Sequence, residues 1–173
     1  MRTYETVRPA SLMAARLRGD DQVTGQTAGP VWPSASPPPA ASGLSWELQD
    51  IAQLPRVRAE LRRHAIAHPV APPGADADTA ADLRDQLILA LDEMASNALR
   101  HGGGRVQAAV QLTPDAYLIV VSDQAAASPP APAVGRDPSE GGLGLYLIAE
   151  MATAHGWYVS SGLKHVWALL PRG

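Results

Sequence analysis

The sequence contains no cysteine and no phenylalanine. Without thiols, neither a disulfide framework nor a thiolate metal site is available. Basic residues are also sparse, since 14 Lys and Arg stand against 17 Asp and Glu, for a formal net charge of −3. The chain therefore lacks the basic footprint of a nucleic-acid-binding protein, and we expect no direct nucleic-acid partner.

Long apolar runs are missing as well. No stretch approaches the roughly 18 residues that a membrane-spanning helix needs, and the N-terminal residues lack the apolar segment of a signal peptide. We therefore expect a cytoplasmic protein with no membrane partner. A hydrophobic fraction of 46% over 173 residues suits one compact domain with an additional tail.

Composition divides the chain near residue 44. Residues 1–43 show no sustained hydrophobic period, and they end in a run rich in proline, alanine and serine at 33–42. Such a segment buries too little apolar surface to offset its chain entropy. It is predicted to be a disordered or extended tail, and 44–173 is predicted to be the ordered domain.

The order of the predicted elements indicates the fold. Helical spacing of apolar residues, period-two alternation and turn residues predict a strand at 44–48, helices at 54–67 and 79–101, strands at 105–112 and 117–122, a loop at 124–140, a helix from 141 to about 155, and a hairpin at 157–170. This order predicts an α/β two-layer sandwich (α+β). Its sheet is expected to be mixed and mostly antiparallel, with the helices on one face.

The first candidate site lies on the longest helical segment. Glu93, Asn97 and His101 are spaced four residues apart and share one helix face. An amide oxygen is a suitable ligand for Mg²⁺ together with phosphate oxygens, and a carboxylate one turn away can position or deprotonate a nucleophile. A solvated polar helix face is the alternative interpretation.

Two further segments could hold other parts of a nucleotide. Asp123 directly follows an apolar strand, where a carboxylate can accept a hydrogen bond from an adenine amino group, although a turn residue is the alternative. The glycine-rich stretch 141–144 opens an apolar helix. Backbone N–H groups and the helix dipole favour phosphate there, and a helix entry without ligand is the alternative. The stretch matches neither a P-loop nor a dinucleotide fingerprint.

Together, these segments resemble the GHKL (histidine-kinase-like) ATPase superfamily over about 44–171. The stretch from Glu93 to His101 resembles its N box, Asp123 the start of its G1 box, and Gly142-Leu143-Gly144-Leu145 its G2 box. The resemblance implies a Bergerat-type ATP-binding fold. It also implies ATP and Mg²⁺ as cofactors, with loop 124–140 as a mobile lid.

The resemblance also implies a role for each matching residue. Glu93 would be the general base, Asn97 would bind Mg²⁺, and Asp123 would accept a hydrogen bond from adenine. The remaining ATP-binding positions would be Arg100, His101, Gly142, Leu143, Gly144 and Leu145. One position departs from the family, because the usual Asp-x-Gly reads Asp123-Gln124-Ala125 here. The added methyl group restricts positive φ and is expected to weaken ATP binding.

Within the superfamily, the chain is most similar to stand-alone anti-sigma-factor serine/threonine kinases, whose N box reads Glu-x-x-x-Asn-Ala-x-x-His. Sensor kinases usually carry a phenylalanine-bearing box, and this chain has no phenylalanine. The resemblance implies phosphorylation of a Ser or Thr on a partner protein. The partner would be a sigma factor, an anti-sigma antagonist or both, and a homodimer is possible.

Two other functions stay open. The first is a degenerate GHKL interaction module with weak or no nucleotide binding, which Ala125 and the prolines of the lid favour. The second is a metal-dependent hydrolase that uses Glu93, Asn97 and His101, but the chain lacks the histidine-rich ligand set of a zinc site.

Overall fold

The computed structural model describes residues 32–68, 74–131 and 143–172. Its elements are β1 (Ala41–Leu48), a short 3₁₀ turn (Ile51–Gln53), α1 (Leu54–Ala67), α2 (Ala77–His101), β2 (Val106–Leu112), β3 (Ala116–Asp123), α3 (Leu143–Met151), β4 (Ala154–Ser160) and β5 (Leu163–Pro171). In these described ranges, no helix combines the length and the apolar character that crossing a membrane requires.

The five strands form one sheet in the order β1-β2-β3-β5-β4, and each neighbouring pair is antiparallel. Two hairpins build most of it. The β4–β5 turn consists of Ser161 at φ 51° and Gly162 at φ 77°, and two left-handed residues in a row match the strand twist. The hairpin predicted around these two residues is confirmed.

The three helices pack on one face of the sheet. Alternate residues of the central strands point toward them, among them Val110, Ile119 and Ala168, and all three belong to the main hydrophobic core. The predicted two-layer sandwich is therefore confirmed. Burying one face of an antiparallel sheet under helices requires this period-two alternation along the strands.

Helix α2 lies at the centre of the helical layer. It contacts α1, α3 and three of the strands. Its buried residues include Ile88 and Ala95 as well as Leu87, Leu91 and Met94, so they cover more than one narrow stripe. A helix covered on several sides buries more than one stripe. Its N-cap is Asp76, whose carboxylate accepts a hydrogen bond from the Thr79 N–H at 2.7 Å, so the helix begins slightly before the predicted start.

The predicted third helix is too long. It ends at Met151 instead of about 155, because Ala154 and His155 already belong to β4 and pair with β5. Trp157 and Lys164, predicted as strand starts, therefore lie inside longer strands. Apolar and small residues fit a helix and a strand equally well over so short a stretch, so periodicity alone could not place this boundary.

The described residues before 44 pack against the domain. The packed part of the chain therefore begins earlier than the predicted boundary at residue 44. Trp32 is 3% exposed and belongs to the main core. The Trp157 N–H donates to Pro33 O at 3.0 Å, and the Trp167 Nε1–H donates to Ala35 O at 2.7 Å. This segment, residues 33–35, covers the β4 edge of the sheet. The remainder of the predicted tail, residues 1–31, lies outside the described residues.

A half-buried histidine gives α1 a pH-dependent stability. His64 Nε2 is buried without a hydrogen bond, and burial, followed by repulsion from His68, lowers the pKa of His64 below its ordinary 6.5. The unfolded chain therefore binds more protons, and the free energy of unfolding should fall as the pH drops below about 6.5.

Urea denaturation between pH 7.5 and 5 checks this expectation. We expect His64→Gln to flatten the pH dependence relative to the wild type, because a neutral amide takes up no proton. Parallel curves for the two proteins would show that other groups cause the slope.

Candidate functional site

The predicted polar face lies on the C-terminal part of α2. Glu93 and Asn97 are half-buried, whereas Arg100 and His101 are exposed. Among the described residues, no side-chain hydrogen bond occupies Glu93 or Asn97. An ion pair of 2.9 Å between Arg58 and Asp92 fixes the neighbouring face of α2 to α1. The core packing of α2 holds the helix in place, while Glu93 and Asn97 stay available to a ligand.

Glu93 and Gly144 come together in space although they are 51 positions apart in the chain. A methyl group built on Gly144 would overlap the carboxylate of Glu93. Only glycine therefore lets the first turn of α3 approach the Glu93 side chain this closely. The structure therefore brings together Glu93 of α2 and Gly144 of α3, two of the residues that the resemblance groups in one site.

The two leucines on either side of Gly144 differ in burial. Leu145 is 3% exposed and packs in the core, whereas Leu143 is 46% exposed. Leu145 anchors the helix on the sheet, and Leu143 faces outward. Gly142 and the second half of the predicted lid, residues 132–140, lie outside the described residues.

Asp123 ends β3 beneath the C-terminus of α2. Its side chain packs against Gly102, where a methyl group would overlap both the Asp123 side chain and the carbonyl oxygen of Ala98. The Gln124 N–H donates to Gly102 O at 3.0 Å, and Gly103 takes the left-handed conformation, at φ 72°. The glycines after α2 therefore end the helix and also let it sit directly on Asp123.

Both carboxylate oxygens of Asp123 have partners in the protein. Oδ1 accepts a hydrogen bond from the Ala125 N–H at 2.8 Å, and Oδ2 lies 3.2 Å from Nζ of Lys164. The two side chains of this ion pair are only 3% and 8% exposed, respectively. Lys164 was not among the residues selected from the sequence. The sequence signal that could have identified it is a lysine in the otherwise mostly apolar strand β5.

Ala125 is accommodated without a left-handed backbone. Among the described residues other than glycine, only Ser161 has a positive φ. The Ala125 N–H donates a hydrogen bond to the side chain of Asp123, two residues earlier. This is the usual turn formed by an aspartate side chain. The departure from Asp-x-Gly therefore fits the fold.

The donor set fits a magnesium ion that is held mainly by phosphate. Among the described residues, no group of three or more His, Asp or Glu side chains could hold a metal ion by itself. Mg²⁺ commonly takes one or two protein oxygens together with substrate phosphates and water. The half-buried amide of Asn97 suits that arrangement.

Comparison with known proteins agrees with this geometry. A family model described as "Histidine kinase-like ATPase domain" matches residues 49–168, which is well over half of the chain. The match includes α2, the Asp123 strand end and the start of α3. No curated protein matches the chain.

Proposed function

Because the chain belongs to the histidine kinase-like ATPase domain family, we propose that it binds Mg²⁺-ATP and phosphorylates a Ser or Thr of a regulatory partner protein. The partner would be an anti-sigma antagonist, with a sigma factor as a second binding partner. The phosphates would lie between α2 and α3, and the base would lie at the Asp123 end of the site.

The contact between Glu93 and Gly144 is the observation that carries this proposal. It places a half-buried carboxylate against the first turn of a helix whose N-terminus favours anions. Asn97 lies one helical turn further along α2 on the same face. A carboxylate, an amide and a helix N-terminus are the groups that a metal-bound triphosphate and an attacking hydroxyl would need.

The residues divide the chemistry of phosphoryl transfer among themselves. When bound, Mg²⁺ would neutralise charge on the phosphates. Glu93 would accept the proton of the attacking Ser or Thr hydroxyl while the terminal phosphoryl group leaves ADP, and Asn97 would orient the phosphates through the metal. Arg100 and His101, exposed at the end of α2, would face the phosphate chain. Such catalysis consists mainly of positioning and charge stabilisation.

A second candidate function is a protein-interaction module with weak nucleotide binding. The buried Asp123–Lys164 pair favours it, because both oxygens of the base-recognising carboxylate already have partners. In addition, Ala125 carries a methyl group where the family's Asp-x-Gly has none. In this case partner binding would not depend on ATP.

Calorimetry of Mg²⁺-ATP binding tests the proposal. We expect metal-dependent binding to the wild type and its loss in Asn97→Ala, because the amide is the protein's ligand to the metal. Gln86→Ala is the matched control, since it removes an amide three turns earlier on the same helix. Loss of binding in both variants, or in neither, would refute the role of Asn97.

The transfer step is tested with Glu93→Gln in the same preparation. This variant should retain ATP binding but lose about 10²–10⁴-fold in the rate of labelled phosphate transfer to a library of Ser and Thr peptides. An unchanged rate would remove Glu93 from the mechanism. Binding of a partner protein that needs no ATP, together with no phosphate transfer, would favour the interaction module.

A further inference from the structure

The Asp123–Lys164 pair occupies the part of the site assigned to the base. The two residues lie directly opposite each other on β3 and β5. Their neighbours on the same face, Val121 and Val166, belong to the core beneath the helices. Both side chains therefore point toward the helical layer, and Gly102 at the end of α2 packs on Asp123.

Both side chains of the pair are more than nine-tenths buried, and each carboxylate oxygen has a partner in the protein. Lys164 Nζ lies 3.2 Å from one carboxylate oxygen of Asp123, and the Ala125 N–H donates to the other at 2.8 Å. The full positive charge of the ammonium adds charge–charge attraction to its hydrogen bond with the carboxylate, and this attraction is strong in a buried environment. The amino group of a purine is a neutral donor, so it competes poorly for the same oxygen.

We propose that Lys164 is an internal competitor of the nucleobase and sets how much the base contributes to nucleotide affinity. The inference rests on the proposed nucleotide-binding function. Because the side chains of Asp123 and Lys164 are both more than nine-tenths buried, a base amino group can reach Asp123 only if the Lys164 side chain moves away. Breaking a buried ion pair leaves charge uncompensated. In the wild type the phosphates therefore supply most of the affinity, and base recognition is weak.

Two ligands that share a phosphate chain separate these contributions. We would measure binding of Mg²⁺-ATP and of Mg²⁺-tripolyphosphate, which has no base, to the full chain by calorimetry. In the wild type, the two dissociation constants should agree within about threefold. Lys164→Met removes the ammonium and keeps an unbranched side chain of similar length. It should tighten ATP binding by about tenfold or more, equal to 1.4 kcal/mol, and leave tripolyphosphate binding unchanged.

Two further variants serve as a control and as a replacement for Lys164→Met. Lys164→Arg keeps a cation beside Asp123 and should show no gain. Lys164→Gln provides a neutral polar replacement that is expected to fold if the methionine variant does not, and it should also tighten ATP binding. Circular dichroism would confirm that each variant is folded before binding is measured.

The outcomes distinguish this inference from the proposed function. If the wild type binds ATP at least tenfold tighter than tripolyphosphate, or if Lys164→Met weakens ATP binding, Lys164 is not a competitor, although the nucleotide site stands. If both ligands bind equally in every variant, the inference fails alone. If no protein binds either ligand, both fail. If only the variants without the ammonium bind ATP, the inference holds, and nucleotide binding by the wild type does not.

Discussion

Trp32→Ala is expected to lower the free energy of unfolding by about 3–5 kcal/mol, the usual cost of truncating a fully buried large aromatic residue. Trp32 is 3% exposed and lies in the main core, with its ring centroid 4.8 Å from that of His155. Its removal would leave a cavity between the N-terminal segment and β4. The loss would occur in a region that the sequence analysis assigned to a tail.

Urea denaturation of the full chain measures this effect, and Trp32→Phe is the matched control. The indole N–H of Trp32 is buried without a partner, so phenylalanine loses no hydrogen bond and should cost much less than alanine. A protein that begins at residue 44 should lose at least as much stability as Trp32→Ala. Equal stability of Trp32→Ala and the wild type would show that the domain begins after this segment.

The second large effect is expected for Asp123→Ala. This change leaves the Lys164 ammonium buried with no anion, and breaking a buried pair by removing one partner costs about 3–5 kcal/mol. The pair is more than nine-tenths buried on both sides, so solvent screening does little to reduce the cost. Thermal or urea unfolding should show the loss even if the protein binds no nucleotide.

The double variant Asp123→Asn with Lys164→Met separates charge from packing. It removes both charges while keeping two side chains of similar size, and should recover most of the stability that Asp123→Ala loses, since neutral replacements of buried pairs are commonly tolerated. A double variant as unstable as Asp123→Ala would mean that packing around Asp123, rather than the uncompensated charge, causes the loss. The exposed pair Arg62–Asp85, at 3.4 Å, provides a surface control whose removal should cost little.

The sequence predicted most of the layered fold because its periodicities are strong. The buried residues of α1 are Leu54, Val57, Leu61 and Ala65, the stripe that its helical spacing indicates. Likewise, the glycines after residue 101 correctly predict the end of α2. By contrast, the end of α3 depends on the pairing of Ala154 with Leu169 on β5, a long-range contact that no local pattern encodes.

The candidate site was predictable only in part. The spacing of Glu93 and Asn97 predicts that they share a helix face, and the contact of Gly144 with Glu93 supports grouping these segments. Their functional roles remain predictions. The partner of Asp123 could not be predicted, because Lys164 is 41 positions away in the chain and reaches it only through the register of β3 and β5. The burial of Trp32 was missed for a similar reason, since proline-rich composition describes local stiffness and not long-range packing.

The hydrogen bond between Trp167 and Ala35 joins residues 132 positions apart, which has a consequence for the order of folding during synthesis. The ribosome releases the chain from its N-terminus, so residues 33–35 emerge long before the strands that they cover. This segment must wait, unpaired, until β4 and β5 have formed. Closing such a long loop is entropically costly, and contacts of this separation slow folding. The attachment of the first described residues is therefore expected to be among the last steps of assembly.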